Sequence, residues 1–217
     1  MTSTLTETEF DLAAFIRASS SEQHRGTEQR SFITDLMGGK LSLADYTRYL
    51  AQYGWLYEVL EATVARVDLD AIPGLAVLFD PELARMASIE SDLVALGAAD
   101  WRQTHPPLAA TIAYAEHLAS LGEADGVRVL AHHYTRYLGD LSGGQAIAAL
   151  VARHYAATPE QLSFYRFDAI DSVVQYKRGY REGMNALALS SDDIDLLVRE
   201  VDSSFTFNGS LFDALLG

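Results

Sequence analysis

Apolar side chains recur along most of the chain at intervals of three and four residues, the spacing that places them on one face of an α-helix. The pattern is clearest in residues 43–67, where the large apolar side chains at helical spacing are Tyr46, Leu50, Tyr53, Tyr57, Leu60 and Val64. No segment shows sustained alternation of apolar and polar positions between turn residues, so the sequence predicts no β-sheet. The predicted fold class is therefore all-α.

Prolines and capping residues divide this pattern into seven predicted helices. They span residues 6–29, 43–67, 81–97, 107–122, 127–155, 163–187 and 191–216. Ser42 with Asp45 is placed to cap the second helix, and Ser190 with Asp193 to cap the last. Thr6 and the acidic residues beside it favour the start of the first. No internal repeat or long linker separates the helices, so we expect residues 1–217 to form a single domain.

Composition excludes several classes of function. The 217 residues carry 16 Lys and Arg against 30 Asp and Glu, a formal net charge of −14, which argues against general nucleic-acid binding. The chain contains no cysteine, so disulfides, thiolate catalysis, iron–sulfur ligation and cysteine-based zinc sites are excluded. No stretch has the length of an apolar membrane span, and no signal peptide is visible. We therefore expect a cytoplasmic protein without a membrane partner, and a monomer.

The most unusual predicted helix contains Gly139, Gly143 and Gly144 in its interior. Each glycine costs about 1 kcal/mol relative to alanine in such a position. Gly139 and Gly143 are four residues apart and share a face, which would carry no side chains and would admit a flat or bulky ligand close to the backbone. A loop capped by Asp140 or Ser142 is an equally good interpretation of the local sequence.

His24 is a candidate metal ligand on the first predicted helix. Glu28 follows one turn later, where its carboxylate can reach the other ring nitrogen and fix the tautomer of a metal-bound imidazole. Arg17 lies seven residues before His24, about 10.5 Å along the helix axis, which suits a cation at the charged rim of a large ligand. The alternative is a surface or capping histidine, with Glu28 paired to Arg25 in solvent.

A cluster of cations stands out in this acidic chain at residues 176–182. Lys177 and Arg181 are four residues apart on one helix face, where like charges repel unless an anion lies between them. The cluster therefore indicates an anion-binding position, and a solvated helix face is the alternative interpretation.

The remaining histidines show no metal-binding pattern. His117 and His154 have no partner at ligand spacing, and the adjacent His132 and His133 point about 100° apart on a helix, so they cannot both bind one metal. Glu-x-x-His, the ligand signature of carboxylate-bridged di-iron bundles, does not occur.

These features together resemble one known family. Residues 133–145, His-Tyr-Thr-Arg-Tyr-Leu-Gly-Asp-Leu-Ser-Gly-Gly-Gln, are similar to the distal-helix signature of the heme oxygenases. The similarity extends from His24 and Glu28 to residues 207–208 and 211–212, so it covers essentially the whole chain. It implies a single-domain, multi-helix fold in which heme is sandwiched between a proximal helix and a glycine-kinked distal helix.

The resemblance implies a role for each matching position. His24 stands at the place of the proximal ligand to heme iron, with Glu28 as its hydrogen-bonding partner. Gly139 and Gly143 are implied to be the distal glycines whose backbone lies over the heme and leaves room for O2. Asp140 is implied to anchor a water network that delivers protons.

Other positions complete the implied site. Arg136 and Tyr57 are further members of the distal network. The residues implied to bind the heme propionates are Arg17, Tyr134, Lys177 and Arg181. Gly144 and Phe207 are implied to be additional heme contacts, and His133, where some relatives have alanine, is expected at the edge of the pocket.

The implied activity is the oxidative cleavage of heme at a meso carbon, with the α position as the family default, to biliverdin, carbon monoxide and ferrous iron. Heme b then serves as both cofactor and substrate, and O2 is the oxidant. No flavin or nicotinamide site is visible, so electrons must come from a separate ferredoxin or flavoprotein reductase. The cations expected to guide this donor are Arg17, Lys177, Arg178 and Arg181.

Other functions remain open on the sequence. The main alternative is a non-catalytic heme carrier or sensor that uses His24 without turnover. Relatives of the same helical fold that bind other ligands, such as the thiamin-degrading group and the di-iron oxidases, depend on cysteine or on carboxylate–histidine clusters for which the sequence shows no pattern.

Overall fold

The computed structural model describes residues 10–217, which form eleven α-helices and three short 3-10 helices with no strand in that range. This confirms the predicted all-α class. The α-helices are α1 (Leu12–Ser19), α2 (Ser21–Glu28), α3 (Ser31–Met37), α4 (Leu43–Val64), α5 (Leu75–Leu78), α6 (Met86–Ala95), α7 (Trp101–Thr104), α8 (Ala109–Ser120), α9 (Gly126–Tyr155), α10 (Val173–Asn185) and α11 (Ser191–Leu215). The 3-10 helices are Pro81–Leu83, Pro159–Gln161 and Ser163–Tyr165.

Three long helices, α4, α9 and α11, form the centre of the molecule. Helix α11 packs against α9, α8, α2 and α3, while α4 packs against α8, α6 and α9. Aromatic side chains on α4 fill much of the space between them: Tyr46, Tyr49, Tyr53 and Tyr57 are all buried. Across residues 10–217, no helix combines the length and apolar character that a membrane span requires.

Two of the predicted helix starts are confirmed by their caps. The Ser42 hydroxyl accepts a hydrogen bond from the Asp45 backbone N–H at 3.2 Å, and the Asp45 carboxylate accepts one from the Ser42 N–H at 2.9 Å. Ser190 and Asp193 form the same reciprocal pair at the start of α11. Each pair satisfies two backbone donors that a helix leaves free at its N-terminus, so these boundaries are encoded locally.

The prediction of one continuous helix over residues 6–29 is wrong, because the described part of this segment forms two helices, α1 and α2. The chain is interrupted at Ser20, which ends α1 and begins α2, and the Ser20 hydroxyl donates to the Ile16 carbonyl at 2.9 Å. The predicted cap at residues 6–9 lies outside the described residues. The following helix, α3, was not predicted, because its seven residues are too few for a clear period.

Two other predicted helices begin later than expected because side chains from distant segments bind their N-termini. Helix α6 starts at Met86 rather than near 81, since the Glu61 carboxylate accepts the N–H groups of Arg85 and Met86 at 2.6 and 3.1 Å. Residues 163–165 form a 3-10 turn in place of a longer helix: buried Asp92 accepts from the Ser163 and Phe164 N–H groups at 2.9 and 2.8 Å, and Arg85 donates at 2.7 Å to the Arg166 carbonyl, which a continuing helix would need. Only at Val173 does α10 begin.

His133 is an uncharged histidine inside the core. Its Nδ1 lies 2.8 Å from the Tyr180 hydroxyl, and its ring contacts Phe79 and Tyr137 at centroid distances of 4.8 and 4.5 Å. Burial lowers the pKa of His133 to about 3. The neutral imidazole therefore joins α9 to α10.

This burial predicts a loss of stability in mild acid. Protonation below the unfolded-state pKa of 6.5 favours the unfolded chain, so the free energy of unfolding decreases as pH falls from 6.5 toward 3. By pH 5 the loss from this group is about 2 kcal/mol. A His133→Gln variant retains an amide near Tyr180 but does not titrate. Urea denaturation at pH 7 and pH 5 should show that the wild-type protein loses more stability than the variant; equal losses would contradict the assignment.

Candidate functional site

A cavity of about 770 Å³ is lined by residues of α1, α2, α3, α4, α9, α10 and α11. Its lining residues come from the start, the middle and the end of the described chain. The predicted site residues that line it are Arg17, His24, Glu28, Tyr134, Arg136, Gly139, Asp140, Gly143, Gly144, Lys177 and Arg181. The structure thus brings together residues from three separate segments that the sequence had singled out independently.

Helix α9 runs through the glycine-rich segment without a break, so the alternative of a loop there is wrong. A Cβ atom built at Gly139 or Gly143 would meet nothing within 4 Å apart from its own helix and chain neighbours. Both positions line the cavity and are exposed to it. One wall of the cavity is therefore bare backbone, which allows a flat ligand to lie against it.

Gly144 is a different kind of glycine. A Cβ at this position would lie 2.8 Å from a ring carbon of Tyr165, whose side chain is fully buried. Gly144 also lines the cavity, but it lacks a side chain so that α9 can pack against the Ser163–Tyr165 turn.

His24 and Glu28 contribute to the cavity from α2. The His24 Nδ1 lies 3.4 Å from a Glu28 carboxylate oxygen, as the four-residue spacing predicted. The imidazole also packs edge-on against Phe205 of α11, with ring centroids 5.5 Å apart. Since Nδ1 faces Glu28, Nε2 is the nitrogen available to a ligand in the cavity.

A buried polar network lies beside the bare wall and is centred on Asp140. The Tyr57 hydroxyl donates a hydrogen bond to the Asp140 carboxylate, and Arg136 lies 3.6 Å from the other oxygen. Arg136 also donates to the Tyr57 oxygen at 3.3 Å and to Asn208 at 2.9 Å. Burial raises the pKa of Asp140, while the charge of Arg136 and the bond from Tyr57 act against the rise. The carboxyl group of Asp140 therefore takes up a proton at a higher pH than an exposed aspartate does.

The cations predicted at the ligand rim line one part of the same cavity. Arg17 of α1 and Lys177 and Arg181 of α10 are all lining residues, and the Lys177 ammonium lies 3.3 Å from the Ser142 hydroxyl. Burial raises the pKa of Tyr134, and Arg181 and Arg17 partly oppose this rise, which shows that their charges reach this tyrosine. Three cations from two helices give the cavity a positively charged edge.

The sequence matches the profile of the heme oxygenase family over residues 10–214. The chain belongs to the heme oxygenase family. It is 32% identical over 207 residues to the heme oxygenase 1 of Gallus gallus, covering 94% of this chain and 70% of that protein. Family membership confirms the predicted heme oxygenase activity.

Solved heme oxygenases have the same fold. The heme oxygenase-1 of the cyanobacterium Synechocystis, solved in complex with heme, superposes with a TM-score of 0.86 at 29% identity, over 94% of this chain and 91% of its own. The heme oxygenase-2 of Synechocystis, solved with heme and NO, gives a TM-score of 0.88 at 27% identity, over 95% and 85% of the two chains. The predicted heme oxygenase fold is confirmed.

Two positions lie elsewhere than the resemblance implied. Phe207 is not a cavity residue: it stacks on Tyr114 at a centroid distance of 4.8 Å, on the other side of α11 from Phe205. Two residues along a helix correspond to about 200° of rotation, so Phe205 and Phe207 cannot face the same space. His133 is in the core and not at the pocket edge, since its ring is enclosed by aromatic side chains.

Some site residues received no role in the sequence analysis, although the family resemblance extends to two of them, Asn208 and Phe212. Phe205, Asn208 and Phe212 line the cavity at helical spacing on α11, and Asn208 accepts hydrogen bonds from Arg136 and Tyr53. An asparagine on the apolar face of a helix is the signal that could have identified this position, because a buried amide requires polar partners.

The glycine contacts predict opposite effects for two alanine substitutions. Gly139→Ala should stabilise the protein by about 1 kcal/mol through helix propensity, while narrowing the cavity and lowering heme-degrading activity. Gly144→Ala should destabilise it by about 1–3 kcal/mol, because the new methyl group is forced against Tyr165. Urea denaturation and biliverdin formation would be measured for both variants. Equal destabilisation by the two substitutions would show that Gly139 is also a packing glycine.

Proposed function

We propose that the cavity binds heme with His24 as the axial ligand to iron. The observation that carries this proposal is the convergence, in one cavity, of an imidazole, a wall of bare backbone and a cationic rim. The interaction of Glu28 with Nδ1 supports an Nε2 ligand of fixed tautomer. The solved Synechocystis relatives, which contain heme, share this fold.

The cationic rim orients the heme in this proposal. The two propionates of heme lie at one edge of the ring and are the part that requires charged partners. Arg17, Lys177 and Arg181 would bind them, with Tyr134 beside these cations. A ring fixed at one edge and at its iron cannot rotate freely, which supports cleavage at a single meso carbon, and we propose the α position.

The bare wall and the Asp140 network provide the chemistry that the protein itself performs. Bound heme would supply the redox-active iron, and its own porphyrin would be oxidised by O2, with electrons from an external donor, to biliverdin, carbon monoxide and ferrous iron. Gly139 and Gly143 leave space for O2 over the ring. Asp140 accepts the Tyr57 hydrogen bond on one oxygen and lies near Arg136 on the other, so its position is fixed at the cavity surface. From there it can position water and pass protons into the cavity.

An external electron donor completes the proposed activity. Arg178 lies outside the cavity, on α10, with its side chain 78% exposed and a 3.3 Å ion pair to Glu182. It borders a second, smaller hollow together with Arg17 and Arg181. These cations lie around the cavity edge that we propose binds the heme propionates, and the rest of the protein is acidic. This arrangement supports the docking of an acidic ferredoxin or flavoprotein at that edge.

We further propose that the chain acts as one domain and as a cytoplasmic monomer. Helices α1, α2 and α11 all line the same cavity, so neither end of the described chain is dispensable for the site. The cytoplasm is the compartment in which reduced donor proteins are available.

Two substitutions separate heme binding from heme cleavage. His24→Ala should abolish the axial-histidine absorption spectrum formed on adding one equivalent of hemin. Asp140→Ala should leave that spectrum in place but strongly reduce biliverdin formation with a reductant in air. His105→Ala, which removes a histidine outside the cavity, should behave as wild type in both assays. An unchanged spectrum in His24→Ala, or an unchanged biliverdin yield in Asp140→Ala, would refute the corresponding role.

The docking proposal predicts a change in salt dependence. Arg178→Glu should slow the reduction of bound heme by an acidic donor at low ionic strength and weaken the dependence of that rate on salt. Arg153→Glu changes the same charge at the far end of α9 and serves as a control. Stopped-flow reduction of the ferric complex would measure both variants. Identical salt dependence in Arg178→Glu and wild type would place the donor elsewhere.

A further inference from the structure

A second group of potential ligands lies outside the heme cavity. His117 on α8, His132 on α9 and Glu200 on α11 each bring one ligand atom into a common space, and these atoms all lie within 4.8 Å of one another. None of the three lines the cavity. Sequence reasoning found no partner for His117, because its partners come from two other helices.

The cluster is largely shielded from solvent. The side chain of His132 is 0% exposed and that of Glu200 is 7% exposed, whereas His117 is 22% exposed. Two inner ligands are therefore held in the protein, and the third lies at the surface, where an ion can enter.

The geometry directs both imidazoles at one carboxylate oxygen. The Nε2 atom of His132 lies 2.9 Å from the Glu200 Oε1, and the Nε2 atom of His117 is also in hydrogen-bonding contact with it. Two ring nitrogens and a carboxylate oxygen are a ligand set typical of zinc sites that keep a fourth position for water.

The charges around the cluster favour a cation. Arg128 donates to the other Glu200 oxygen at 3.1 Å and lies 3.5 Å from Asp125. With neutral imidazoles, the two carboxylates and one guanidinium carry a net charge of −1. Arg128 leaves Oε1 free to face the histidines, so it orients the carboxylate and does not take the ligand position.

His132 has the supporting hydrogen bond that metal-binding histidines require. Its Nδ1 lies 3.0 Å from the Tyr114 hydroxyl, which is 2.9 Å from the Ser204 hydroxyl. Without a metal, the Nε2–H of His132 donates to Glu200 and Nδ1 accepts from the Tyr114 hydroxyl. When a metal binds, the ring proton resides on Nδ1, which then donates to Tyr114, and the Nε2 lone pair binds the ion. Tyr114 therefore holds the ring in one orientation in both tautomers.

We propose that His117, His132 and Glu200 bind a divalent transition-metal ion of the zinc class. The ion replaces the hydrogen bonds between the imidazoles and Glu200 and links α8, α9 and α11 about two helical turns before Gly139 on α9. Because it binds only the folded chain, it also stabilises the protein.

Zinc is the probe that tests this site. The heme-loaded ferric protein, in which His24 is engaged, would be treated with a chelator, dialysed against free Zn²⁺ and analysed for bound metal. Wild type should bind one equivalent and show a raised melting temperature. His117→Ala and Glu200→Gln should each weaken zinc binding by at least about tenfold. His154→Ala, which removes an exposed histidine outside the cluster, should bind zinc as wild type does.

The outcomes distinguish a metal site from a purely hydrogen-bonded cluster. No bound zinc in wild type, or equal zinc affinity in wild type and in His117→Ala, would overturn the proposal. Melting temperatures without zinc report whether each variant is folded. If Glu200→Gln does not fold, the more exposed His117→Ala variant decides the question. Heme-free protein analysed in parallel separates this site from the proposed heme site, since zinc bound through His24 would disappear on adding hemin.

Discussion

The structure depends on one constraint: α9 must stay helical over the cavity while carrying no side chains at positions 139 and 143. Its three interior glycines forgo about 3 kcal/mol of helix propensity. Burial on the faces away from the cavity offsets this, since Tyr137 and Leu141 of α9 are both buried. Gly144 lets the same helix approach Tyr165, which helps to hold α9 in place. Gly139 and Gly143 instead expose the backbone of α9 to the cavity.

Features encoded within a few residues were predicted from sequence, and features that depend on distant partners were not. The starts of α4 and α11 are set by reciprocal caps, Ser42 with Asp45 and Ser190 with Asp193, and sequence patterns identify such pairs. The starts of α6 and of the Ser163–Tyr165 turn are set by Glu61 and Asp92, which lie far away in sequence. Nothing in the local pattern could have revealed them.

The same distinction holds for the site. His24 with Glu28, and Gly139 with Gly143, are pairs at helical spacing and were recognisable on their own helices. The contributions of α11 were not, because only the packing of α11 against α9 and α2 shows which of its aromatic residues faces the cavity. The cluster of His117, His132 and Glu200 is the extreme case, since each residue comes from a different helix.

The cavity draws its walls from both α2 and α11, and this has a consequence for the timing of assembly. Phe205, Asn208 and Phe212 lie within the final turns of α11, which are synthesised last of the elements described. While these residues are still inside the ribosome, the imidazole on α2 lacks the aromatic surface against which it packs. The pocket can therefore close only after α11 has emerged from the ribosome, and a nascent chain that still lacks α11 is not a competent acceptor for the ligand.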